Sequence, residues 1–558
     1  MARTLPVLLG LHVLTTLHGQ TYTTSSAVRF GGSGTDAIRS MTVDASGNTY
    51  LCGFFQGTAD LDPGPAVHNR TSNGANDGYV MKVGTDGSAA WVVTFGGTQG
   101  DGANAVAVDG AGNVVVAGFF TGTVDMDPGP GETMVSAGGN DDMVLAKYDA
   151  NGMLLWATAT NTTGGNSGYG MDLAPNGDIV VGGVFFGTTD FDGSSGVSNA
   201  TSVGNGDAYL VKYNANGAFQ WVLTTGGTAR DEVEEVSIDA SGNIHFAGTF
   251  NGTADIDFGA AVVSRTSAGS SDVFVGKLGP GGDVMWTVAY GGTGEEYVYG
   301  LDVGTSGRVT IGGYFAAAVD MDPGAGITEL TSTSNSDVNG FVQRLDADGA
   351  FEWAGAFRSA GGSTLFDLDH LADDHVLVCG GLYGTMDVDP GTGVTNINSG
   401  SFPDGFVARL DADGGLVRHF QFNGADYDDI TGVVGLPGGA VRCAGGFYST
   451  ADLNGADDPA PLVSAGGLDG FILTLDAAVV GIQETTAEDI EIIVEPLNRT
   501  VQVRNNGAPG PYALHELTGR MIGNGTLRTG STTIDMQRMP TGVYILRTER
   551  GTRRFVLP

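Results

Sequence analysis

The chain has 558 residues, 41% of them hydrophobic, with 94 glycines, 3 cysteines and a formal charge of −38. So acidic a chain is excluded as a nucleic-acid binder, because phosphate contacts need a basic surface; cations, basic proteins and neutral glycans stay open as partners. The apolar content is enough to fill a core, which excludes general disorder, and the cysteines are too few to staple one.

Residues 1–20 read as a cleavable secretory signal: Arg3, an apolar stretch over 5–17, then small or polar residues. No later segment reaches the roughly 18 apolar residues of a membrane-crossing helix. The expectation is an exported protein without a transmembrane segment after signal removal.

From residue 21 to 478 one phrase, Asp-x-Asp-Pro-Gly or a close relative, recurs. Its first aspartates are Asp60, Asp125, Asp190, Asp255, Asp320, Asp387 and Asp452, in steps of 65 residues with a single step of 67. Tryptophan keeps the same beat at Trp91, Trp156, Trp221, Trp286 and Trp353, and so do all four lysines, Lys82, Lys147, Lys212 and Lys277, with Arg344 and Arg409 continuing the series. A fixed period over this length marks a repeat architecture.

The second full unit shows the plan. Residues 103–109 alternate as a strand, Gly110-Ala111-Gly112-Asn113 turns, and 114–120 return. A long loop carries Asp125 and Asp127. A third strand over 142–148, a turn at 149–152 and a fourth strand over 153–160 complete the unit. Four antiparallel strands per repeat make a propeller blade. The last repeat stops after its third strand, while an unmatched strand over 25–30 precedes the first; the N-terminal strand is therefore expected to complete the last blade and remove two open edges. The expected fold is all-β: a seven-bladed β-propeller followed by a small Ig-like β-sandwich.

Within each blade, tryptophan is expected to pack between blades, and the lysines to pair with an aspartate of the same or the adjacent blade. Cys52, Cys379 and Cys443 fall where other copies carry small residues, and read as core. The paired aspartates Asp60/Asp62, Asp125/Asp127, Asp190/Asp192, Asp255/Asp257, Asp320/Asp322 and Asp387/Asp389 are candidate metal ligands, with calcium the cation that such oxygen pairs would take. The alternative is a turn in which Asp binds its own backbone and Pro presets φ. Together with the Gly-Gly-x-x-x-acid segments, as in 31–36 and 96–101, these loops are expected to make one face strongly acidic.

The repeat resembles those of secreted Bacteroidetes β-propellers, the SBBP family. The resemblance is carried by Asp-x-Phe-Val-x-Lys-x-Asp-x-x-Gly-x-x-x-Trp, then Phe-Gly-Gly and Val-Asp-x-x-Gly-Asn-x-x-x-x-Gly, and covers about 25–476. It implies the propeller and says little of a ligand.

After 478 the beat stops. Residues 479–488 read as a linker, and 489–558 as a second domain of seven short strands. From Glu484 on there are eight acidic and nine basic residues, leaving about −39 for everything before it. This segment resembles the type A C-terminal sorting domains of the type IX secretion system. The carrying residues are Leu514-His515-Glu516-Leu517-Thr518-Gly519-Arg520, Met539-Pro540-Thr541-Gly542-Val543-Tyr544, and the basic, apolar end Arg553-Arg554-Phe555-Val556-Leu557. The resemblance implies Gly519, Arg520, Pro540, Gly542 and Tyr544 as the motif, the type IX machinery as partner, and a secreted or outer-membrane cell-surface location.

No nucleophile elbow, P-loop or zinc-protease helix appears. His370 and His375, with Asp367, Asp369, Asp373 and Asp374, break the repeat in the sixth unit, either as an acidic turn or as a metal site. The functional expectation is a non-enzymatic, adhesin-like binding or scaffold module for glycan or extracellular protein. The alternatives are a hydrolase or lyase acting on polysaccharide, built from repeat-breaking residues in the mouth of the ring, and a structural surface-layer component.

Overall fold

The computed structural model describes residues 20–334, 337–452, 461–477, 490–495, 500–505, 508–516, 521–536, 539, 542–548 and 551–557. Most of the expected signal, the expected linker, and Gly519, Arg520 and Pro540 lie outside them. Among the described residues every regular element is a β-strand, and the strands form many small antiparallel sheets, an architecture consistent with a β-propeller. The chain divides into two compact units, Met1–Ala477 and Ala478–Pro558.

In the first unit the repeat seen in the sequence is a four-stranded sheet. Gly102–Val108, Val114–Phe120, Asp142–Tyr148 and Leu154–Ala159 pair in chain order. The long loop adds a short pair that the sequence reading did not contain, Thr123–Asp125 with Met134–Ser136. First strands lie side by side: Asp36–Val43, Gly102–Val108, Gly165–Leu173, Asp231–Ile238, Glu296–Val303, Ser363–His370 and Asp428–Gly435 each contact the next, and the last contacts the first. Side chains bridge every junction of this circuit. Ser40 Oγ accepts from Val106 N (3.4 Å), Asn104 Nδ2 donates to Gly168 O (2.9 Å), and Asp172 Oδ2 accepts from Ile238 N (2.7 Å). Ser237 Oγ donates to Asp302 Oδ1 (3.0 Å), Asp302 Oδ2 accepts from His370 N (2.9 Å), Asp367 Oδ2 accepts from Val433 N (2.8 Å), and Thr431 Oγ1 donates to Ile38 O (3.4 Å).

The N-terminal strand Gln20–Gly32 pairs antiparallel with Asp469–Ala477, from Tyr22↔Ala477 to Phe30↔Gly470, and supplies the fourth strand of the last sheet. Core clusters fall between neighbouring sheets. Tyr50, Cys52 and Phe95 pack with Val106, Val114 and Phe120 of the next unit, and Phe30, Leu51 and Phe55 pack with Ala444 and Ile472 across the closing seam. Burying each large apolar side chain contributes about 1.5–3 kcal/mol, so closure is as well supplied with core as any other junction. All three cysteines are buried and free.

Tryptophan acts between sheets. Trp91 Nε1 donates to Ala150 O (3.1 Å), Trp286 Nε1 to Ala347 O (3.1 Å) and Trp353 Nε1 to Ala412 O (3.0 Å), each in the next unit's third-to-fourth-strand turn. The lysine ion pairs lie within single sheets, with Lys147 Nζ 3.0 Å from Asp109 Oδ2, Lys212 Nζ 3.0 Å from Asp178 Oδ2 and Lys277 Nζ 3.7 Å from Asp239 Oδ2, while Lys212 Nζ also donates to Pro280 O of the next sheet (2.9 Å).

In the second unit, Ile490–Glu495, Thr500–Asn505 and Gly530–Asp535 form one antiparallel sheet; Met521–Leu527, Gly510–Glu516, Gly542–Thr548 and Gly551–Leu557 form another. Val501, Val503, Leu514, Leu527, Ile534, Tyr544 and Leu546 are its buried core.

Candidate functional site in the central cavity

In each aspartate pair of the repeat the Oδ1 oxygens are taken by backbone amides. Asp60 Oδ1 accepts from Asp62 N (3.2 Å) and His68 N (2.8 Å), and Asp62 Oδ1 from Gly64 N (2.8 Å) and Ala89 N (2.8 Å). The same circuit recurs where Asp125, Asp190, Asp255, Asp320 and Asp387 accept from Thr133, Ser198, Val263, Thr328 and Thr395. Asp127, Asp192, Asp257, Asp322 and Asp389 accept from the amide two residues on. Ala89 and Leu416, which Asp389 also reaches, begin fourth strands, so the loop runs back along the sheet edge. Of these loop carboxylates, Asp62, Asp257 and Asp389 are buried and the others are half-buried. Among the described residues no group of three or more His, Cys, Asp or Glu side chains is arranged to hold a metal. The Gly-Gly-x-x-x-acid segments are caps of the same kind. Asp36 Oδ2 accepts from Gly32 N (2.6 Å), Asp101 Oδ2 from Gly97 N (2.7 Å) and Glu296 Oε2 from Gly292 N (2.8 Å).

His370 and His375 stand away from the cavity. His370 Nε2 lies 2.9 Å from Asp374 Oδ1 and 3.3 Å from Arg344 Nη2, and Arg308 also reaches Asp374 (2.8 Å). His375 Nδ1 accepts from Arg409 Nε (3.1 Å). In the second unit of the chain, Tyr544 is core and Gly542 opens a strand.

The first strands surround a cavity of about 780 Å³. Each of these strands carries a β-bulge at one place, between Ile38/Ser40, Ala103/Ala105, Gly168/Met171, Val233/Glu235, Val298/Gly300, Leu365/Asp367 and Ile430/Gly432. A bulge re-aims the extra residue. Here the extra residues are Arg39, Asn104, Tyr169, Glu234, Tyr299, Phe366 and Thr431, and all of them line the cavity. They fall on the 65-residue beat, yet no two neighbours in the ring are alike. The sequence signal for them is weak, because the columns on either side vary too: Ser40, Ala105, Gly170, Glu235, Gly300, Asp367 and Gly432 stand one place on.

One wall is acidic and aromatic. Tyr297 OH donates to Glu232 Oε1 (3.2 Å) and to Glu234 Oε1, and Arg230 clamps Glu232 Oε2 through Nε (2.8 Å) and Nη2 (2.6 Å) while donating to Tyr169 OH (3.2 Å). The ring of Tyr297 stacks on Tyr314 at 5.8 Å and meets Tyr299 at 4.8 Å, and Tyr299 meets Phe366 at 5.6 Å. Burial, with Glu232 beside it, drives the Glu234 carboxyl well above the usual range; burial, with Asp367 and Asp172 nearby, does the same to Glu235. Burial also pushes Asp367 up to about 8. Arg39 lies over the Phe54 ring at 5.4 Å, and its charge reaches Tyr299. Such a cavity can hold a ligand by ring faces and ionisable carboxyls, and can move a proton along Glu232, Tyr297 and Glu234.

No family model matches the chain. It is 26% identical over 271 residues to an uncharacterized WD repeat-containing protein of Acanthamoeba polyphaga mimivirus, covering 42% of this chain and 19% of that protein. Over 291 residues it is 24% identical to the regulatory protein FlaEY of Caulobacter vibrioides, covering 49% of this chain and 29% of that one. The chain thus spans less than a third of the length of these curated relatives. Among solved structures, Sqt1 from Chaetomium thermophilum is similar at a TM-score of 0.38 and 11% identity over 81% of this chain and 99% of that one. A DUF4221 family member from Bacteroides vulgatus gives 0.30 and 8% over 82% and 99%. PorZ, a surface component of the type-IX secretion system of Porphyromonas gingivalis, gives 0.15 and 10% over 94% and 98%. The WD-repeat likeness agrees with an all-β repeat fold.

Proposed function

We propose that residues 21–478 are a seven-bladed β-propeller of the SBBP type that binds its ligand in the central cavity. Residues 489–558 are a sorting domain that carries it through the type IX machinery to the cell surface or the medium. The observation behind the binding role is the ring of bulged residues. The caps, the tryptophan contacts and the lysine pairs repeat from sheet to sheet, whereas Arg39, Asn104, Tyr169, Glu234, Tyr299, Phe366 and Thr431 differ from sheet to sheet where they line the cavity. The neighbouring first-strand positions that also line the cavity vary with them, as in Tyr297, Glu235, Asp367 and Asp429, so chemical variety gathers around the cavity while the caps and latches repeat.

The test is binding of the purified chain and of Tyr299→Ala to a glycan and extracellular-protein array, with calcium and with chelator. A hit lost in Tyr299→Ala supports the cavity as the site, and its calcium dependence decides whether the aspartate loops take the metal. A hit unaffected by the substitution places binding elsewhere. The Glu232–Tyr297–Glu234 chain favours a second reading, a polysaccharide hydrolase or lyase; turnover abolished by Glu234→Gln would establish it.

A further inference from the structure

We infer that the ligand of the central cavity is an organic cation, a guanidinium or ammonium group on an apolar stem, held between the Tyr297, Tyr299 and Phe366 rings and the carboxyls of Glu234 and Glu235. The inference rests on the binding role proposed above and names the chemistry of that same site.

Charge is the first argument. The ionisable groups lining the cavity are Asp141, Glu234, Glu235, Asp367 and Asp429 against the one guanidinium of Arg39, with Tyr169, Tyr297, Tyr299 and Tyr427 as neutral phenols. Arg39 lies over Phe54, and its charge is felt by Tyr299 and Asp429 but is not among the influences on Glu234 or Glu235. Among the described residues, neither Glu234 nor Glu235 has a cationic partner, and Glu234 is only 8% exposed. A carboxylate so removed from water is costly unless a cation joins it.

Shape is the second. Ring centroids 4.8 to 5.6 Å apart from Tyr297 through Tyr299 to Phe366 present a continuous aromatic surface beside those carboxyls. Cations are attracted to such faces within about 6 Å. Tyr299 is 36% exposed, so the surface is open to a visitor.

The third argument is that this wall already holds one guanidinium of its own chain. Arg230 sits 5.8 Å over the Phe186 ring, donates to Tyr169 OH at 3.2 Å and forks onto Glu232 at 2.6 and 2.8 Å. Ring face, phenol oxygen and carboxyl come together again one step inward as Tyr299, Tyr297 and Glu234, where the phenol is bonded to the carboxyl itself and the guanidinium is the missing member. A neutral sugar would be served equally by amides and would leave the carboxyls unmatched.

Binding a cation would ionise Glu234 and Glu235, whose protons pass to the buffer. The groups that face them are Glu232 and Arg230 on their own strand and the turn before it, Tyr169 and Asp172 on the third first strand, Tyr297 and Tyr299 on the fifth with Tyr314 behind, and Asp367 on the sixth. Most of these oppose ionisation, as burial does, so a bound cation shifts both carboxyls toward their charged form.

The experiment is isothermal titration of the full chain at pH 6, 7 and 8, in phosphate and in Tris, with Nα-acetyl-arginine amide, Nα-acetyl-lysine amide, tetramethylammonium, a pentapeptide carrying one central arginine, and a neutral oligosaccharide. The expected result is cation binding that tightens as pH rises. The heat should differ between buffers by the ionisation enthalpy of the released proton. Glu235→Gln and Tyr299→Ala should each bind about tenfold more weakly with an unchanged far-ultraviolet circular dichroism spectrum. A pentapeptide binding far tighter than the free amides identifies a polypeptide source; equal affinities identify a small amine. Tyr299-dependent binding of the neutral oligosaccharide, without proton release and indifferent to Glu235→Gln, overturns the cation while leaving the cavity a binding site. Binding of neither probe here nor any ligand on the array overturns both.

Discussion

Gly217 lies in the third-to-fourth-strand turn of its sheet with φ at +77°, and a Cβ there would stand 2.7 Å from Cε3 of Trp156 in the preceding sheet. The same indole donates through Nε1 to Ala215 O (3.3 Å), so the turn and the ring form one latch. Gly438 has a similar φ, +88°, with nothing within 4 Å of the missing Cβ. The two positions separate backbone strain from steric exclusion. Gly438→Ala should lose about 1 kcal/mol, the cost of an L-residue in the left-handed region. Gly217→Ala should lose about 2–4 kcal/mol, because the indole must also move and its hydrogen bond is strained. Thermal and denaturant melts of the two variants give the comparison, and equal losses would refute the latch. The pairing of Asp-x-x-Gly turns with tryptophan in the sequence is therefore a contact between neighbouring repeats, not a motif within one.

At the scale of whole strands the closing seam explains an irregularity of the repeat. Arg418 stands where earlier units carry tryptophan. The sheet that follows it has no third-to-fourth-strand turn, because its fourth strand comes from the other end of the chain, so there is nothing for an indole to grip. Deleting residues 25–30 removes the strand paired with Asp469–Ala477 and uncovers Phe30's place in the seam core. The expected outcome is aggregation or a fall in melting temperature of more than about 10 °C, given several buried side chains at roughly 2 kcal/mol each; a soluble variant with an unchanged melt would sink the closure argument. This seam was legible in the sequence from an unmatched strand at one end and a missing one at the other. The strands of each sheet were legible too, since alternation with period 2 and Asp-Gly turns are local signals. The cavity was not. A bulge in every first strand breaks the alternation just where side chains enter the channel, so parity does not say that Arg39 or Glu234 points inward. The route of the aspartate loop depends on a contact with the start of a fourth strand, 27 residues on from Asp62. His370 breaks the repeat, and its ring packs over Gly304, a glycine standing where Asp44, Asp109 and Asp239 stand in other units. That is a fact about the neighbouring sheet, invisible in the histidine's own segment.

Over the whole first unit, the use of carboxylates as buried backbone acceptors gives the protein an unusual pH response. Burial pushes Asp36, Asp77, Asp142, Asp231 and Asp404 up to about 6, Asp172 and Asp369 to about 7, and Asp367, Asp428 and Glu296 to about 8. In the unfolded chain these groups titrate near about 4. Between about pH 4 and 8 the folded state therefore holds more protons than the unfolded one, and stability falls as pH rises through that window. The turn aspartates Asp44, Asp109, Asp239 and Asp374 run the other way: hydrogen bonds from asparagine, histidine or backbone outweigh their burial and hold them low, so their contribution is lost on acidification below about pH 4. The two sets together place the stability maximum near about pH 5. Melting temperature is expected to be several degrees higher at pH 5 than at pH 8, and to fall again below pH 4. Self-repulsion of a chain carrying −38 also relaxes on acidification and acts in the same sense. Asp367→Asn distinguishes the two causes. It keeps an oxygen for the Val433 amide but has no proton to lose, so the slope between pH 6 and 8 should flatten in the variant, whereas net-charge repulsion would leave that slope almost as it was.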